Sequence, residues 1–248
     1  MVRKGYISEV FGSFQGEGPF IGERHIFVRL CGCNLACVYC DTTEALEESE
    51  DARFEQGPGG KVLKARNPVL AEDVARAAIM QEVTPGFNKA LCVTGGEPLV
   101  QAGFLGSVLE ALGGRFKVML ETNGTLPGAF IKVGHLVDVV SMDIKLPSST
   151  GMAGQWKRHA AFLDACKGKE VVVKVVITPD TPTEEVGRAA RMAEDKAPGA
   201  TFVLQPVSRP RTGPAVKGTD LLRHYEAASA HCGLVRVIPQ MHKYLGVK

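Results

Sequence analysis

Neither an excess of one charge nor a long apolar run is present in this chain. Lys and Arg number 29 against 27 Asp and Glu, a formal net charge of +2 over 248 residues. A balance this even offers no electrostatic footprint for DNA or RNA. No stretch approaches the roughly 18 consecutive apolar residues of a membrane span. The start, Met1-Val2-Arg3-Lys4-Gly5, lacks the apolar centre of a signal peptide. Internal repeats and low-complexity tracts are missing too. Cysteine is also sparse: seven residues, an odd count in a chain this long, argue against a secreted disulfide scaffold. These absences leave a reduced, cytoplasmic protein with no nucleic-acid and no membrane partner as the expectation.

The hydrophobic fraction is 45%, ordinary for a globular protein. The length suits one large α/β domain over residues 1–248. Short apolar runs alternate with helical patterns, as in a parallel α/β sheet. Strands are expected over residues 26–30, 90–94, 117–122, 137–143, 170–178 and 201–207, and helices over 70–82, 101–112, 155–167, 184–196 and 220–232. The run Val171-Val172-Val173-Lys174-Val175-Val176-Ile177 is nearly continuous, as in a parallel strand covered on both faces. Six strands with helical crossovers predict a partial, open (β/α) barrel rather than a closed one of eight. An extended leader over residues 6–11 precedes a loop over 12–22. Residues 44–61 begin acidic and turn glycine-rich at Gly57-Pro58-Gly59-Gly60, and are read as a mobile surface insertion.

Three cysteines, Cys33, Cys37 and Cys40, form a C-x3-C-x2-C run. A four-iron cubane is normally held by four thiolates, so three leave one iron open. An open metal position separates a catalytic site from a structural one. A zinc site would want a second Cys/His pair downstream, and Cys92, Cys166 and Cys232 are isolated in apolar stretches. A redox C-x-x-C would not need Cys33. Thr94-Gly95-Gly96-Glu97-Pro98 follows a strand, where glycines permit close backbone approach, Pro98 fixes the turn and ligands gather. Glu121-Thr122-Asn123-Gly124 ends the next strand in an Asn-Gly turn. Ser141-Met142-Asp143-Ile144-Lys145 sets polar groups after an apolar run, although Asp-x-Lys alone reads equally as a surface pair.

With Tyr39 before Cys40, the cysteine run and the Gly-Gly-Glu-Pro turn together resemble the radical S-adenosylmethionine (SAM) superfamily. The flanks are narrower in their likeness. Phe11-Gly12-Ser13-Phe14-Gln15-Gly16-Glu17-Gly18, Phe27-Val28-Arg29-Leu30, Cys40-Asp41-Thr42 and Pro239-Gln240-Met241-His242-Lys243-Tyr244 resemble the 7-carboxy-7-deazaguanine synthase family, from Ile7 to Tyr244.

That resemblance implies a lyase in the route to queuosine, whose end use is tRNA modification. It would contract the ring of 6-carboxy-5,6,7,8-tetrahydropterin: a 5′-deoxyadenosyl radical takes hydrogen from C6, the pterin rearranges, hydrogen is returned and ammonia leaves. It implies a [4Fe-4S] cluster on Cys33, Cys37 and Cys40, and SAM held by Tyr39, Asp41, Gly95, Gly96, Glu97, Glu121, Ser141, Met142, Asp143, Gln205 and Pro206. Mg2+ would sit on Thr42, although Asp41 is the plainer ligand on bare chemistry. Substrate would meet Phe14, Gln15, Gly16, Glu17, Arg29, Thr94 and His242, with Arg29 as the planar donor for its carboxylate. No catalytic side chain is assigned beyond cluster and SAM. A leader over residues 1–24 and a C-terminal segment from about 205 to 248 would flank the substrate, with an insertion at about 44–66. A homodimer and a flavodoxin- or ferredoxin-type electron donor are implied by analogy.

Two features depart from the pattern. Cys31 is extra; if the strand continues it shares a face with Cys33, and because a fourth ligand would shut out SAM it is read as a packing thiol. The tail Gly246-Val247-Lys248 differs from relatives whose terminal carboxylate nears the substrate. A glycyl-radical enzyme activase is the alternative enzyme, and a non-catalytic zinc-binding module the alternative of another class.

Overall fold

A computed structural model describes residues 3–209 and 213–248; residues 210–212 of the expected C-terminal segment lie outside the described residues. One ten-stranded sheet organises it. Its strands are β1 (Ile7–Phe14), β2 (Arg24–Leu30), β3 (Asp51–Glu55), β4 (Val62–Arg66), β5 (Ala90–Gly95), β6 (Val118–Thr122), β7 (Val139–Asp143), β8 (Glu170–Ile177), β9 (Thr201–Pro206) and β10 (Val235–Val237). Their spatial order is β10-β9-β8-β7-β6-β5-β2-β1-β3-β4, and the two terminal strands do not pair, so the sheet is open. From β2 to β10 every neighbour is parallel. The helices are α1 (Ala71–Ile79), α2 (Ala102–Leu112), α3 (Pro127–Val133), α4 (Pro147–Thr150), α5 (Trp156–Ala165), α6 (Thr183–Lys196), α7 (Gly218–Ser229) and α8 (Met241–Leu245).

All six expected strands are present within a few residues, and the expected open, parallel (β/α) form holds. Short β10 and α3 escaped the sequence reading because three and seven residues give too little periodicity to register. The mobile-insertion reading is corrected. Residues within 44–66 form the antiparallel hairpin β3–β4, and β3 joins the sheet beside β1. Ala52 and Phe54 alternate to the helix-covered face and join the core, a pattern of only two apolar positions that the acidic run before it obscured. Gly57 and Gly59 supply the positive φ of the hairpin loop.

The period of two sorts each strand's side chains to opposite faces. Outward residues such as Val28, Leu30, Leu91, Val93, Leu120, Val140, Met142, Val173 and Leu204 join the core under the helices. Inward residues change character along each strand. At the start lie Phe27, Cys92, Met119 and Val139, packed with Phe11 and Ala90 as an apolar floor. Two residues later come Arg29, Thr94, Glu121 and Ser141, which line a cavity above that floor. The polar end of each strand is therefore the end where a ligand meets the sheet, the general site in open α/β folds.

Candidate active site

The cavity encloses about 800 Å³ at the C-terminal ends of the parallel strands. Cys33, Cys37 and Cys40 line it as free thiols. Burial raises the Cys33 and Cys37 thiols above their ordinary range, partly offset for Cys33 by a hydrogen bond from the Leu35 backbone and for Cys37 by the Lys145 charge. Among the described residues, no three His, Cys, Asp or Glu converge as ligands of a single ion. A cubane distributes three thiolates over three irons, so three cysteines facing one cavity from one loop fit a cluster.

Main chain positions that loop. Gly32 N donates to Ala45 O at 2.9 Å and Cys33 N to Leu46 O at 3.1 Å; Gly96 N donates to Leu30 O at 3.2 Å and Glu97 N to Gly32 O at 2.8 Å. The Gly-Gly pair is required by protein backbone. A Cβ at Gly95 would stand 2.1 Å from Leu30 O, at a φ of +142°, and one at Gly96 would stand 2.4 Å from Gly32 O. Glu97 is fully buried and fastens two turns: its carboxylate accepts from Leu99 N at 3.0 Å, Thr122 Oγ1 at 2.9 Å and Asn123 N at 2.7 Å. Asn123 Nδ2 in turn donates to Asn34 Oδ1 at 2.9 Å, and Asn34 Nδ2 to Thr125 Oγ1 at 2.8 Å. Behind them the buried His159 Nε2 lies 3.1 Å from Asn123 O. A carbonyl only accepts, so the neutral ring carries its proton on Nε2; burial lowers this His to about 4.

Side chains position the opposite wall. Glu17 accepts from Lys174, from Gln240 Nε2 at 2.8 Å and from Gln205 Nε2 at 3.2 Å. Burial opposes its charge, but Lys174 and Gln240 prevail and lower its pKa. Lys174 also faces Asp143 Oδ2 at 3.8 Å, and Asp143 pairs with Lys145 Nζ at 2.8 Å, which donates to Tyr39 Oη at 3.0 Å. Desolvation works against both lysines; the surrounding carboxylates, with Tyr39 and Cys37 beside Lys145, overcome it and raise both. Asp143–Lys145 is thus an interior pair. Gln15 is buried, donates from Nε2 to Glu121 Oε1 at 3.0 Å, and accepts from Glu17 N at 3.0 Å. Arg29 Nε donates to Glu9 Oε1 at 3.1 Å. Asp41 Oδ2 accepts from Lys243 Nζ at 2.7 Å and Gln240 Nε2 at 2.8 Å. Burial raises this carboxyl, the Lys243 bond and charge outweigh it, and the result is about 2. Gly16 is where the tail docks: Met241 N donates to Gly16 O at 2.8 Å, and a Cβ at Gly16 would stand 2.4 Å from His242 Nδ1.

Of the residues expected at the site, Cys33, Cys37, Cys40, Tyr39, Asp41, Thr42, Gly95, Gly96, Glu121, Ser141, Asp143, Gln205, Phe14, Gln15, Gly16, Glu17, Arg29, Thr94 and His242 all line the cavity. Glu97, Met142 and Pro206 do not. Glu97 is saturated beneath the turns, and Met142 and Pro206 alternate to the outer face opposite Asp143 and Gln205. The condition for a shared face of Cys31 and Cys33, a continuing strand, is not met. The strand stops at Leu30 and Gly32 turns at a φ of +89°, so Cys31 is buried near Ser49 while Cys33 lines the cavity. The packing role given to Cys31 fits that burial. Glu9, Arg53, Lys174, Gln240 and Lys243 escaped the sequence reading. Lys174 carried a signal as a charge inside an otherwise apolar strand, and Gln240 and Lys243 stood in the quoted tail motif without an assigned role.

Three free cysteines on a loop closing a parallel α/β sheet define a radical SAM protein. The family model for the Radical SAM superfamily matches residues 28–193, and that superfamily implies a [4Fe-4S] cluster and SAM. The 7-carboxy-7-deazaguanine synthase of Geobacter sulfurreducens is 37% identical over 242 residues, 97% of this chain and 96% of that one. That of Methanothermobacter thermautotrophicus is 34% identical over 261 residues, 98% of this chain and 97% of that one. The chain belongs to the 7-carboxy-7-deazaguanine synthase family. The crystal structure of QueE from Escherichia coli shares the fold, with a TM-score of 0.60 at 20% identity, covering 96% of this chain and 95% of that one. This membership sets aside the activase and zinc-module alternatives. No helix among the described residues is long and apolar enough to cross a membrane.

Proposed function

We propose that this chain, as one radical SAM domain over residues 1–248, converts 6-carboxy-5,6,7,8-tetrahydropterin to 7-carboxy-7-deazaguanine and ammonia. One observation carries the reading: the three cysteines and the leader residues Gln15 and Glu17 line the same cavity, with Arg29 on its wall. Cys33, Cys37 and Cys40 would hold the cluster, which when bound and reduced would supply the electron for SAM cleavage. The residues of the chain hold and orient. Tyr39, Gly95, Gly96, Glu121, Ser141, Asp143 and Gln205 are offered as the SAM contacts, and Phe14, Gln15, Gly16, Glu17, Arg29, Thr94 and His242 as those of substrate.

Arg29 keeps its fork for the substrate carboxylate, because only Nε is spent on Glu9. Gln15 and Glu17 present an amide and a carboxylate to the pterin edge. Lys174 keeps Glu17 charged as an acceptor, and Glu121 fixes the amide of Gln15. The floor of Phe11, Phe27, Cys92 and Met119 excludes water from below. Mg2+ on Thr42 is supported by the state of its neighbour. Asp41 Oδ2 is already taken by Lys243 and Gln240 and its Oδ1 accepts from Thr42 Oγ1 at 3.3 Å, while the lone pairs of that donating hydroxyl stay available on the cavity wall. A homodimer, a flavodoxin- or ferredoxin-type donor and a cytoplasmic setting complete the proposal by family analogy.

The test is anaerobic incubation of reconstituted protein with SAM, reductant and the carboxytetrahydropterin. A carboxylated deazaguanine is expected. A reconstituted cluster that cleaves SAM yet leaves this pterin intact would reject the reaction and keep the superfamily.

A further inference from the structure

Beyond Arg29 the inner face carries charge on two more strands. Glu9 of β1 stands opposite Arg29 of β2 and opposite Arg53 of β3, so strand register sets the order Arg29, Glu9, Arg53. Glu9 Oε1 accepts from Arg29 Nε at 3.1 Å; its Oε2 accepts from Lys248 Nζ at 2.9 Å and lies 3.8 Å from Arg53 Nη2. The Glu9 side chain is only 8% exposed. Burial opposes its ionisation, and the Lys248, Arg29 and Arg53 charges together hold its pKa below the usual carboxylate range. All four groups line the cavity.

Among these side chains three cations face one carboxylate. Two guanidinium groups on the strands either side of β1 would repel, and the carboxylate between them offsets that repulsion and fixes where each can reach. Arg53 Nη2 also donates to Ser8 Oγ at 3.3 Å, which steadies it against the sheet. We propose that Arg53, carried in by the β3–β4 hairpin, is a second guanidinium for the substrate's carboxylate, and that Glu9 positions it beside Arg29. The hairpin is then a specificity element: it adds a donor for the one group that distinguishes a carboxylated pterin from an uncarboxylated one. A carboxylate has two oxygens and accepts a planar fork on each side. Arg53 is 42% exposed against 16% for Arg29, so solvent screens it more and its share is the smaller. This inference rests on the pterin reading above.

The test uses reconstituted holoenzyme, wild type beside Arg53→Gln and Arg53→Lys. KM is measured with the carboxytetrahydropterin. Dissociation constants are measured for it and for tetrahydropterin lacking the 6-carboxyl. Arg53→Gln is expected to raise KM about tenfold with kcat little changed, the signature of lost uniform binding and the size of one charge-assisted hydrogen bond. The preference for the carboxylated ligand falls by the same factor, while the uncarboxylated pterin binds as before. Arg53→Lys recovers part of the loss. An unchanged KM, or equal weakening toward both pterins, overturns the proposal even as wild-type turnover upholds the reaction. A wild type that shows no preference for the carboxylated pterin overturns both.

Discussion

The two walls of the cavity are built from different materials. The cluster wall is held by main chain and buried hydrogen-bonded side chains: backbone bonds among Leu30, Gly32, Ala45 and Gly96, the Glu97 carboxylate, and an Asn34–Asn123–Thr125 network. The opposite wall is held by charge: Glu17 with Lys174, Asp143 with Lys145, Glu9 with Arg29, Asp41 with Lys243. On the reading proposed above, the cofactor would meet buried, backbone-set geometry that salt barely screens. On the same reading, a charged substrate would meet Arg29 and Glu17, each held by a charged partner from another element. The difference divides rigidity from recognition.

The cluster wall breaks most completely at its glycines. Gly95→Ala puts a methyl against Leu30 O, and strain with backbone clash sets its cost above about 4 kcal/mol, in the tail reserved for structural faults. Thermal unfolding together with iron and sulfide content measures it. A variant that melts normally and holds a full cluster would show that the close approach is dispensable.

Next is a titratable group behind that wall. His159 is fully buried and lowered to about 4, so it is neutral when folded and takes a proton more readily when unfolded. Its stabilisation is complete above about 6.5 and is lost as pH falls toward 4, an effect on the order of 3 kcal/mol at about 1.4 kcal/mol per unit. Denaturant midpoints of wild type and His159→Gln, followed from neutral pH to 4, should converge on acidification; a constant gap would reject the assignment.

On the charged wall, Arg29→Ala should raise KM for the pterin by roughly ten- to a hundredfold, the worth of a hydrogen-bonded charge, with SAM affinity intact. An unaltered KM would remove Arg29 from carboxylate binding. The smallest effect belongs to the tail. Lys243→Ala frees an Asp41 side chain that is 42% exposed, so the change in stability stays under about 1 kcal/mol and shrinks as salt is added. A larger, salt-independent loss would mean the tail is anchored by more than charge.

Motifs confined to a few consecutive residues are legible in the chain itself. The cysteine run, the Gly-Gly-Glu-Pro turn and Glu121-Thr122 each sit on one strand end, and all but Glu97 place their expected groups at the cavity. Glu97 misled because the residue order of a turn does not say whether its carboxylate faces ligand or protein. Met142 and Pro206 misled by one step of strand register. Glu9 and Arg53 gave no local sign, since their meaning lies in being opposite Arg29 across two strand pairs.

By itself the sequence determined the parallel strands, the helical crossovers and the chemistry of the cysteine loop, because period, turn residues and ligand spacing are local properties of the chain. Tertiary structure alone decided which strand face looks inward, that a glycine-rich insertion becomes a sheet hairpin, and that Lys174, Gln240 and Lys243 meet leader and loop carboxylates. Those outcomes depend on register and on contacts between distant segments, where a burial cost is offset only once every partner has arrived.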